Sequence, residues 1–425
     1  MKKTINLLIF VLIVCLSQKA SIAQEISIDG EFRINPVYSM GFRKPMYAGD
    51  KPGFFTMQRT RLILTYKKEN DLEAEIIFQD RRFWGDQGDR EDVANLALYR
   101  GWVEKHFKKG FSIRLGRQGL VYDDQYLLGD PNWVGTRAHD AGIVKYETNK
   151  LSVHLGFAFN ANGQDLKREP YKYNMYKNLQ FLWFHKDFKK VKLSFIGINR
   201  GMEKSDTTTN IYYTQTFGPD INVEITKKIS LKGIFYYQVG QNTDKENVSA
   251  YFYSAQLKFE LNKSVDFTLG LDVGSGTNQN DILDAKNKTS HSFDRHYGLI
   301  HGHFGYIDYF YVNQPTLCGI KDYYLKTKIK LTPKFSIEDH IHYFDTEAKI
   351  NNSKNPGETM PNYLGTENDI LLNYKFSDTF KASLGHSIMF GTPTLNEFFG
   401  GKKSVQNQVI YMVITATPNF LKIKK

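Results

Sequence analysis

Alternation of apolar and polar residues with a period of two is the feature that most constrains the fold of this 425-residue chain. Over Leu151–Phe159 the odd positions are Leu, Val, Leu, Phe and Phe, whereas the even positions are Ser, His, Gly and Ala. Such a segment is a β-strand with one apolar and one polar or small face. The pattern recurs at 251–261 and 267–273, and 409–416 is more uniformly apolar. An all-β fold is therefore predicted.

The connections between these strands alternate between short and long. Eight short, mostly charged turns occur at 67–71, 108–110, 148–150, 187–190, 226–228, 261–263, 331–333 and 377–378. Longer polar connections lie at 83–95, 121–136, 160–173, 200–209 and 346–363, and the longest spans 274–319. Strands of about ten residues with short periplasmic turns and long extracellular loops are typical of a transmembrane barrel. With both termini on the turn side, the turns imply an antiparallel up-and-down barrel of about 18 strands.

Soluble sandwiches and propellers also alternate, so they are the competing fold classes. Aromatic residues make up 14% of the chain, and many sit near strand ends, where girdles of a barrel meet lipid headgroups. A sheet of so many strands also encloses a space that side chains cannot fill. Past the N-terminal segment we find no apolar run long enough for a membrane helix and no linker that would divide the chain. Residues 24–425 are therefore expected to form one outer-membrane barrel domain.

The first residues have the pattern of a secretory signal peptide. Met1-Lys-Lys precedes an apolar stretch at 7–16, and Ala20-Ser-Ile-Ala23 provides small residues for cleavage, which predicts removal of 1–23. Lipidation at Cys15 is disfavoured because Val14 stands where a small residue is required. Cys318 is then the remaining cysteine, so no intrachain disulfide is expected. Together with the barrel pattern, export predicts the outer membrane of a Gram-negative bacterium, with outer-membrane lipid as a partner.

The charge of the chain narrows the classes of partner. The formal net charge is +11, and the predicted signal removes three lysines and no acidic residue. A positive surface favours anionic partners in general. Nucleic acid is not expected, because the charge is dispersed and no nucleic-acid-binding motif occurs.

If the apolar residues of each strand face lipid, the alternate residues line the lumen. With Leu62 and Leu64 outside, Arg59 and Arg61 point inward. The same argument places further lumen residues at Arg81, Arg100, Arg114, Arg137, Glu73, Glu75 and Glu104. Such bands of arginine and carboxylate either select anions or simply solvate the wall of a water-filled barrel, and we favour selection because the arginines concentrate in the first part of the chain.

Other site chemistries have weaker signals. His301-Gly-His303 and His340-Ile-His342 each place two imidazoles on one strand face, a spacing compatible with zinc. No cysteine or fixed carboxylate partner is evident, so polar lining or loop packing is favoured, and the sequence assigns no metal and no cofactor. His386 and Ser387 are adjacent, and neighbours on a strand point to opposite faces, which argues against a hydrolase pair.

Several motifs together have the character of a family signature. They are Leu115-Gly-Arg-Gln118, Tyr122-Asp-Asp-Gln125, Leu128-Gly129, Trp133, Arg137-x-x-Asp140, Gln79-Asp-Arg-Arg-Phe-Trp84, His303-Phe-Gly-Tyr-Ile-Asp-Tyr-Phe310, Gly319-Ile-Lys-Asp322 and Leu364-Gly-Thr-Glu-Asn-Asp369. This set resembles the alginate-export family of outer-membrane proteins, in the version found in Bacteroidetes homologues. The similarity spans most of the mature chain.

The resemblance implies an 18-stranded barrel whose electropositive constriction passes a polyanionic sugar chain by diffusion. By motif position, Arg117 matches a constriction arginine of the family. Arg117 shares the parity of outward Leu115, so a bulge at Gly116 or Gly119 would have to turn it inward. The chain departs from the expected terminal assembly signal, because Leu-Lys-Ile-Lys-Lys follows Phe420. Barrel-assembly machinery is nevertheless an expected partner.

These observations predict a passive outer-membrane channel for hydrophilic, anionic solutes such as acidic polysaccharide or oligosaccharide, without enzymatic activity. The 274–319 connection is a candidate plug or lid, since long loops of such barrels fold into the lumen. The residues at 121–136 are expected to form an extracellular or infolded loop beside the pore mouth. The alternatives are a general porin for small solutes, an outer-membrane hydrolase, and an adhesin or structural barrel with a blocked lumen.

Overall fold

The structure is a computed structural model that describes residues 24–86, 96–130, 137–173, 175–204, 207–284, 288–299, 301–310, 315–399 and 406–424. The predicted signal segment at 1–23 lies outside these residues, as do positions 131–136 of the predicted mouth loop and parts of the 274–319 connection.

Within these ranges the chain is made almost entirely of strands. They are β1 (Gln24–Met40), β2 (Gly53–Lys68), β3 (Leu72–Phe83), β4 (Ala97–His106), β5 (Phe111–Gln118), β6 (His139–Glu147), β7 (Leu151–Phe159), β8 (Asn178–Asp187), β9 (Val191–Glu203), β10 (Ile211–Thr226), β11 (Ile229–Gln241), β12 (Asn247–Glu260), β13 (Val265–Gly274), β14 (Thr289–Ser290), β15 (Ile320–Lys330), β16 (Phe335–Asp345), β17 (Tyr363–Lys375), β18 (Phe380–Gly391), β19 (Asn407–Ala416) and β20 (Asn419–Lys424). Short α-helices lie at α1 (Gln279–Leu283) and α2 (Pro393–Phe399), and 3-10 turns at Lys108–Gly110 and Pro315–Cys318. Among the described helices, none has the length and apolar character needed to span a membrane.

Hydrogen bonding between consecutive antiparallel strands closes the sheet on itself. β1 pairs with β2 on one side and with both β19 and β20 on the other. The last two strands share one position in the wall, since Pro418 between them has no N–H for the ladder, although its carbonyl accepts a bond from Gly30 N at 2.8 Å. β14 pairs in parallel with the start of β12, while β13 pairs directly with β15. In the described residues the wall is thus a closed 18-stranded antiparallel barrel, as predicted.

The two faces of the wall have opposite chemical character. The outer face exposes large apolar side chains, such as Leu115 at 54% and Leu155 at 58%, whereas the alternate residue Arg59 is 4% exposed on the inside. A belt of exposed leucine and phenylalanine is unfavourable in water, and hydrocarbon is the environment that suits it. The alternation that predicts the strands therefore also orients them.

All the short turns lie at the end of the barrel where the N-terminal strand begins. Polar side chains stabilise these turns: Oδ1 of Asn262 accepts bonds from Ser264 N and Val265 N, and Asn70 adopts a φ of 55°. The predicted turn positions coincide with the observed connections between β2 and β3, β4 and β5, β6 and β7, β8 and β9, β10 and β11, β12 and β13, β15 and β16, and β17 and β18. Short and long connections thus occupy opposite ends.

The apolar core lies in the lumen rather than between layers of sheet. Two loop segments supply much of it, and we call them the first inner segment (119–130) and the second inner segment (291–299 and 301–310). Buried residues of these segments pack against inward residues of the wall, among them Tyr126 and Phe293 against Phe252 of β12, while Phe304 packs edge-on against Tyr126. Tyr126 and Phe252 stack with ring centroids 3.7 Å apart. This placement brings loop residues next to the polar groups of the inner wall.

Candidate functional site

Arginines lie side by side on the inner faces of the first strands. Arg59 of β2 is the cross-strand partner of Arg33 in β1 and of Arg81 in β3. One carboxylate, that of Glu31, lies between the arginines: its Oε1 accepts a bond from Arg59 Nε at 2.8 Å and is 3.7 Å from Arg61 Nη1. Clustered cations of this kind raise the potential in the lumen and favour anions there.

The members of this row differ in accessibility. Arg59 and Arg61 are 4% and 8% exposed, whereas Arg81 is exposed at the long-loop end of β3. Arg61 Nε donates to Gln79 Oε1 at 2.9 Å. The sequence analysis does not place Arg33 and Glu31 in the lumen, because it assigns no strand to the residues that carry them. The alternation of Ile28, Phe32 and Ile34 with polar residues could have revealed them.

A bulge in β4 directs two consecutive residues inward. The register with β3 shifts between Ile77 and Phe78, so that Tyr99 joins Arg100 on the luminal side. The Tyr99 hydroxyl donates to Asp130 Oδ1 at 2.7 Å, and Arg100 Nη2 lies 2.7 Å from Asp130 Oδ2. Arg61 covers the Tyr99 ring at 4.5 Å. Since Asp130 belongs to the first inner segment, the bulge attaches that segment to the arginine row.

Glu104 is the centre of a buried ion network on β4, β5 and β6. Its carboxylate accepts bonds from Ser112 Oγ at 2.6 Å and Lys145 Nζ at 2.9 Å, and it pairs with Arg114 Nε at 2.5 Å. The Arg114 guanidinium lies 3.8 Å from the ring centroid of Trp102. Arg114 and Glu104 thus lie on the inner side of the wall, where both are engaged by neighbours.

The other predicted lumen acids also have partners. Glu75 Oε1 accepts a bond from Trp102 Nε1 at 2.8 Å. Glu73 pairs with Lys67 Nζ at 2.9 Å near the short-turn end and lies 3.5 Å from His106 Nε2. These acids brace the wall and reduce its net positive field.

Arg137 contacts the second inner segment. Its Nη1 donates to the carbonyl of Gly298 at 2.9 Å, and the guanidinium lies 5.5 Å from the Tyr297 ring centroid. Together with Arg200, Asp294 and His296 it lines a polar cavity of about 350 Å³ near the long-loop end of β11. Arg137 thus lies beside this cavity and is held by the second inner segment.

Arg117 occupies a different place from the one expected. Its Nη1 pairs with Asp140 Oδ2 at 2.9 Å, and the two side chains are 42% and 57% exposed. The register of β5 with β4 and β6 is continuous, so no bulge turns Arg117 away from the parity of outward Leu115. The luminal position belongs instead to Gln118, which is fully buried and donates to the carbonyl of Ala141. The constriction role expected for Arg117 is corrected on this geometry.

The two inner segments pair with each other. Tyr297 N donates to the carbonyl of Leu127 at 2.9 Å, Leu299 N to that of Gln125 at 2.7 Å, and Gly129 N to that of Tyr297 at 3.0 Å. Arg295 lies over the Tyr126 ring at 4.6 Å. These bonds make a short ladder inside the barrel, which satisfies backbone groups that would otherwise be buried without partners.

Polar groups of the wall anchor the second inner segment near β9, β10 and β11. Arg200 Nη2 lies 2.6 Å from Asp294 Oδ2, Gln238 Oε1 accepts a bond from Asp294 N at 3.1 Å, and Thr216 Oγ1 lies 2.6 Å from His296 Nε2. Burial, with the Arg200 charge, lowers the pKa of His296 to about 3. His296 is consequently neutral when the segment is docked.

The same segment is also anchored farther around the wall, by β17. Glu367 Oε1 accepts bonds from Tyr306 N at 2.6 Å and Ile307 N at 2.8 Å. A Cβ on Gly305 would lie 2.4 Å from that oxygen, and Gly305 has a φ of +78°, so the close approach requires glycine. None of these anchors has a periodic signal in the sequence.

The side chains of His386 and Ser387, considered above for catalysis, lie on opposite faces of the wall. Ser387 is fully buried on the inner face of β18, whereas His386 Nε2 lies 3.0 Å from Gln408 Oε1 on the other face. A nucleophile and base cannot bond in this arrangement. His301 Nδ1 lies 2.9 Å from Asp308 Oδ1 within the second inner segment, whereas His340 and His342 lie on the inner face of β16.

Comparison with known proteins gave one family and one group of structures. The family model described as alginate export matches residues 48–393. A search of curated proteins found no match.

Several solved structures are similar to this chain at low sequence identity. Pseudomonas aeruginosa OpdO has a TM-score of 0.62 at 10% identity, over 93% of this chain and 98% of that one. Pseudomonas aeruginosa OpdQ has a TM-score of 0.60 at 12% identity, over 94% and 98%. A BenF-like porin from Pseudomonas fluorescens Pf-5 has a TM-score of 0.58 at 11% identity, over 93% and 99%. At these identities the similarity establishes the fold alone.

Proposed function

The chain belongs to the alginate-export family of outer-membrane proteins, and from that premise we propose that its channel passes hydrophilic anions, with acidic oligosaccharide or polysaccharide as the substrate class. The protein lies in the outer membrane of a Gram-negative bacterium, and its family and fold are those of channels and not of enzymes. Lipid therefore surrounds the apolar outer face.

The observation that carries the anion preference is the row of Arg33, Arg59 and Arg81 on three adjacent strands, with Glu31 beside it. Arginine presents a planar fork that suits carboxylates and stays charged at any physiological pH. Arg81 is the accessible member of the row and would meet a solute first. Arg59, which is buried, and Arg33, which is half-buried, attract anions through their electrostatic potential.

The inner segments restrict this passage in the proposed mechanism. Their aromatic core occupies the lumen beside β9 to β12, and Asp130 contacts the arginine side through Arg100. Passage of a sugar chain requires the second inner segment to shift, since its Asp294 is bound to Arg200 of β9 and its Tyr306 to Glu367 of β17, at distant parts of the wall. The predicted plug at 274–319 thus becomes a proposed gate.

Insertion into the membrane would use the barrel-assembly machinery. The final strand pairs with β1, and Phe420 is 56% exposed beside Gly30 on the outer face. An outward aromatic residue near the C-terminus is the feature through which we propose recognition. We expect Phe420→Ala to lower the amount of folded barrel recovered from outer membranes relative to Leu421→Ala.

A general porin is the second candidate, and one observation favours it. Most luminal arginines have a carboxylate or backbone partner, as do Arg59 with Glu31, Arg100 with Asp130 and Arg114 with Glu104. Such pairing would leave only weak selectivity.

Recordings in planar bilayers separate the two candidates. We expect an anion-selective reversal potential across a salt gradient, and block of the current by alginate oligomers of defined length. Arg81→Glu should move the reversal potential toward cations, whereas the matched control Arg117→Glu, on the outer face, should leave it unchanged. A weakly selective current that ignores both the oligomers and Arg81→Glu would contradict anion passage and support the general porin.

A further inference from the structure

Two histidines and an aspartate converge on the inner face of β16 and β17. One ligand atom from each of His340, His342 and Asp369 lies within 4.8 Å of the others, and all three residues are buried. His340 is the cross-strand partner of Asp369, so adjacent strands hold the group in a fixed register. The sequence shows only the His-x-His half of this arrangement, because the carboxylate comes from the next strand.

The His342 ring is oriented by a second carboxylate. Its Nδ1 lies 2.9 Å from each carboxylate oxygen of Asp322 on β15, so Nδ1 donates its proton to that carboxylate. The Nε2 lone pair is then left for another partner, and it lies 3.8 Å from Asp369 Oδ2. That distance is too long for a hydrogen bond. It suits two ligands that share one metal ion at about 2.1 Å from each.

The remaining atoms of the cluster make no hydrogen bond of good geometry. Among the described residues, His340 Nδ1 and both carboxylate oxygens of Asp369 are buried without a donor or acceptor in bonding geometry. His340 Nε2 is directed elsewhere, 3.7 Å from Glu338 Oε2, which leaves Nδ1 as its ligand atom. Ser387 and Glu367 are the polar neighbours that interact with Asp369, as weak hydrogen-bond partners. Buried polar atoms nearly always have well-aligned partners, so the atoms of His340 and Asp369 indicate that a further ligand belongs between them.

The local charge indicates that this partner is a cation. Asp322, Glu367 and Asp369 are all fully buried. Lys326 of β15 faces Asp322 and both histidines, Lys328 lies near His340, and His301 lies near Asp369. From the second inner segment, Tyr306 packs over His340 with ring centroids 5.4 Å apart. Buried carboxylates normally pair with cations or coordinate a metal.

We propose that His340 Nδ1, His342 Nε2 and the Asp369 carboxylate bind one divalent transition-metal ion of the zinc class. Two imidazoles and one carboxylate form a ligand set that suits zinc, whereas calcium and magnesium require oxygen ligands. Asp322 is a positioning residue, since it fixes the ring of His342 by the bond to Nδ1. The ion neutralises the buried acids and fixes β16 to β17 beneath the second inner segment.

Metal binding to the full mature protein tests this site. The barrel is refolded in detergent without a polyhistidine tag, with zinc present because the second inner segment covers the cluster, and is then dialysed into metal-free buffer. We expect one zinc per barrel by elemental mass spectrometry. His342→Gln and Asp369→Asn should retain less than a tenth of it, whereas His185→Gln, a wall histidine bonded to Ser194, should retain it all.

Further measurements keep the test decisive if a variant misfolds. Heat-dependent electrophoretic mobility identifies folded barrels, and only these are compared. The wild-type protein refolded with Co²⁺ should show visible d–d bands of an imidazole and carboxylate set, and Asp322→Asn should weaken zinc binding about 10- to 100-fold. A wild-type barrel with no stoichiometric zinc and no cobalt bands overturns the proposal, as does equal zinc in folded His342→Gln and His185→Gln.

Discussion

Two sides of the inner wall carry side chains of opposite charge, and these side chains bind different kinds of partner. On the side of β1 to β6, arginines dominate, and most of their partners lie on the wall itself, as in the pairing of Arg114 and Lys145 with Glu104. On the side of β15 to β17, carboxylates dominate, and Glu367 receives its hydrogen bonds from the backbone of the second inner segment. On the first side, the pairs of Arg114 and Lys145 with Glu104 use no residue of the second inner segment. On the second side, Glu367 receives these bonds only when the segment is docked, so movement of the proposed gate would change the second side first.

The largest expected effect is on the arginine side. Glu104→Gln leaves the Arg114 and Lys145 charges without their shared carboxylate, although Ser112 keeps an acceptor. Removing one partner of a buried ion pair costs about 3–5 kcal/mol. Urea unfolding of the barrel should show that loss, with the second inner segment still protected from protease in the folded state. Early cleavage of the segment in this variant would break the distinction between the two sides.

A smaller and more local effect is expected on the carboxylate side. Glu367→Ala removes the acceptor of Tyr306 N and Ile307 N, at about 1–3 kcal/mol for each buried donor left unpaired. Limited proteolysis should then cut the second inner segment, and the conductance in planar bilayers should rise. Glu367→Gln keeps an acceptor oxygen and serves as the matched control, with behaviour close to that of the wild type. Unchanged conductance in the alanine variant would remove this segment from gating.

Acid should weaken the docking of the second inner segment, because two of its histidines are neutral when docked. Burial lowers the pKa of His296 and of His303 to about 3, from an ordinary value of 6.5. Between pH 6.5 and pH 3 the undocked histidines are therefore protonated, whereas the docked ones stay neutral. Docking is strongest above pH 6.5 and weakens as the pH falls toward 3. Each histidine contributes about 1.4 kcal/mol per pH unit in that window.

Protease sensitivity and conductance at pH 7.5 and pH 5 measure this dependence. We expect both to rise at pH 5, and the double variant His296→Gln/His303→Gln to lose most of the difference. A wild-type segment equally protected at both pH values would show that these histidines do not couple docking to protons.

The wall was predictable from the sequence, and the lumen contacts were predictable only in part. Period-two alternation fixed the strands and the side of Arg59, Arg61 and Arg114, because each strand needs only its own residues to set parity. The bulge that turns Tyr99 inward depends on how β3 and β4 pair, and Asp369 joins His340 only through the register of β16 with β17. Contacts such as Arg200 with Asp294 link distant loops, for which a single sequence has no periodic signal.

The smallest effect is expected for Arg117. This residue lies on the outer face and serves as a reference for both luminal sides of the wall. Its pair with Asp140 is on the outer face and largely exposed, so an ion pair there contributes at most about 1 kcal/mol. Arg117→Ala and Asp140→Ala should each leave urea unfolding within that margin, and the double variant should show little coupling between them. Conductance and reversal potential should match the wild type, because no described contact connects this pair to the luminal arginines. A clear loss of anion preference in Arg117→Ala would mean that the functional state has a β5 register different from the one described, and the inner face would then need to be assigned again from Gln118 onward.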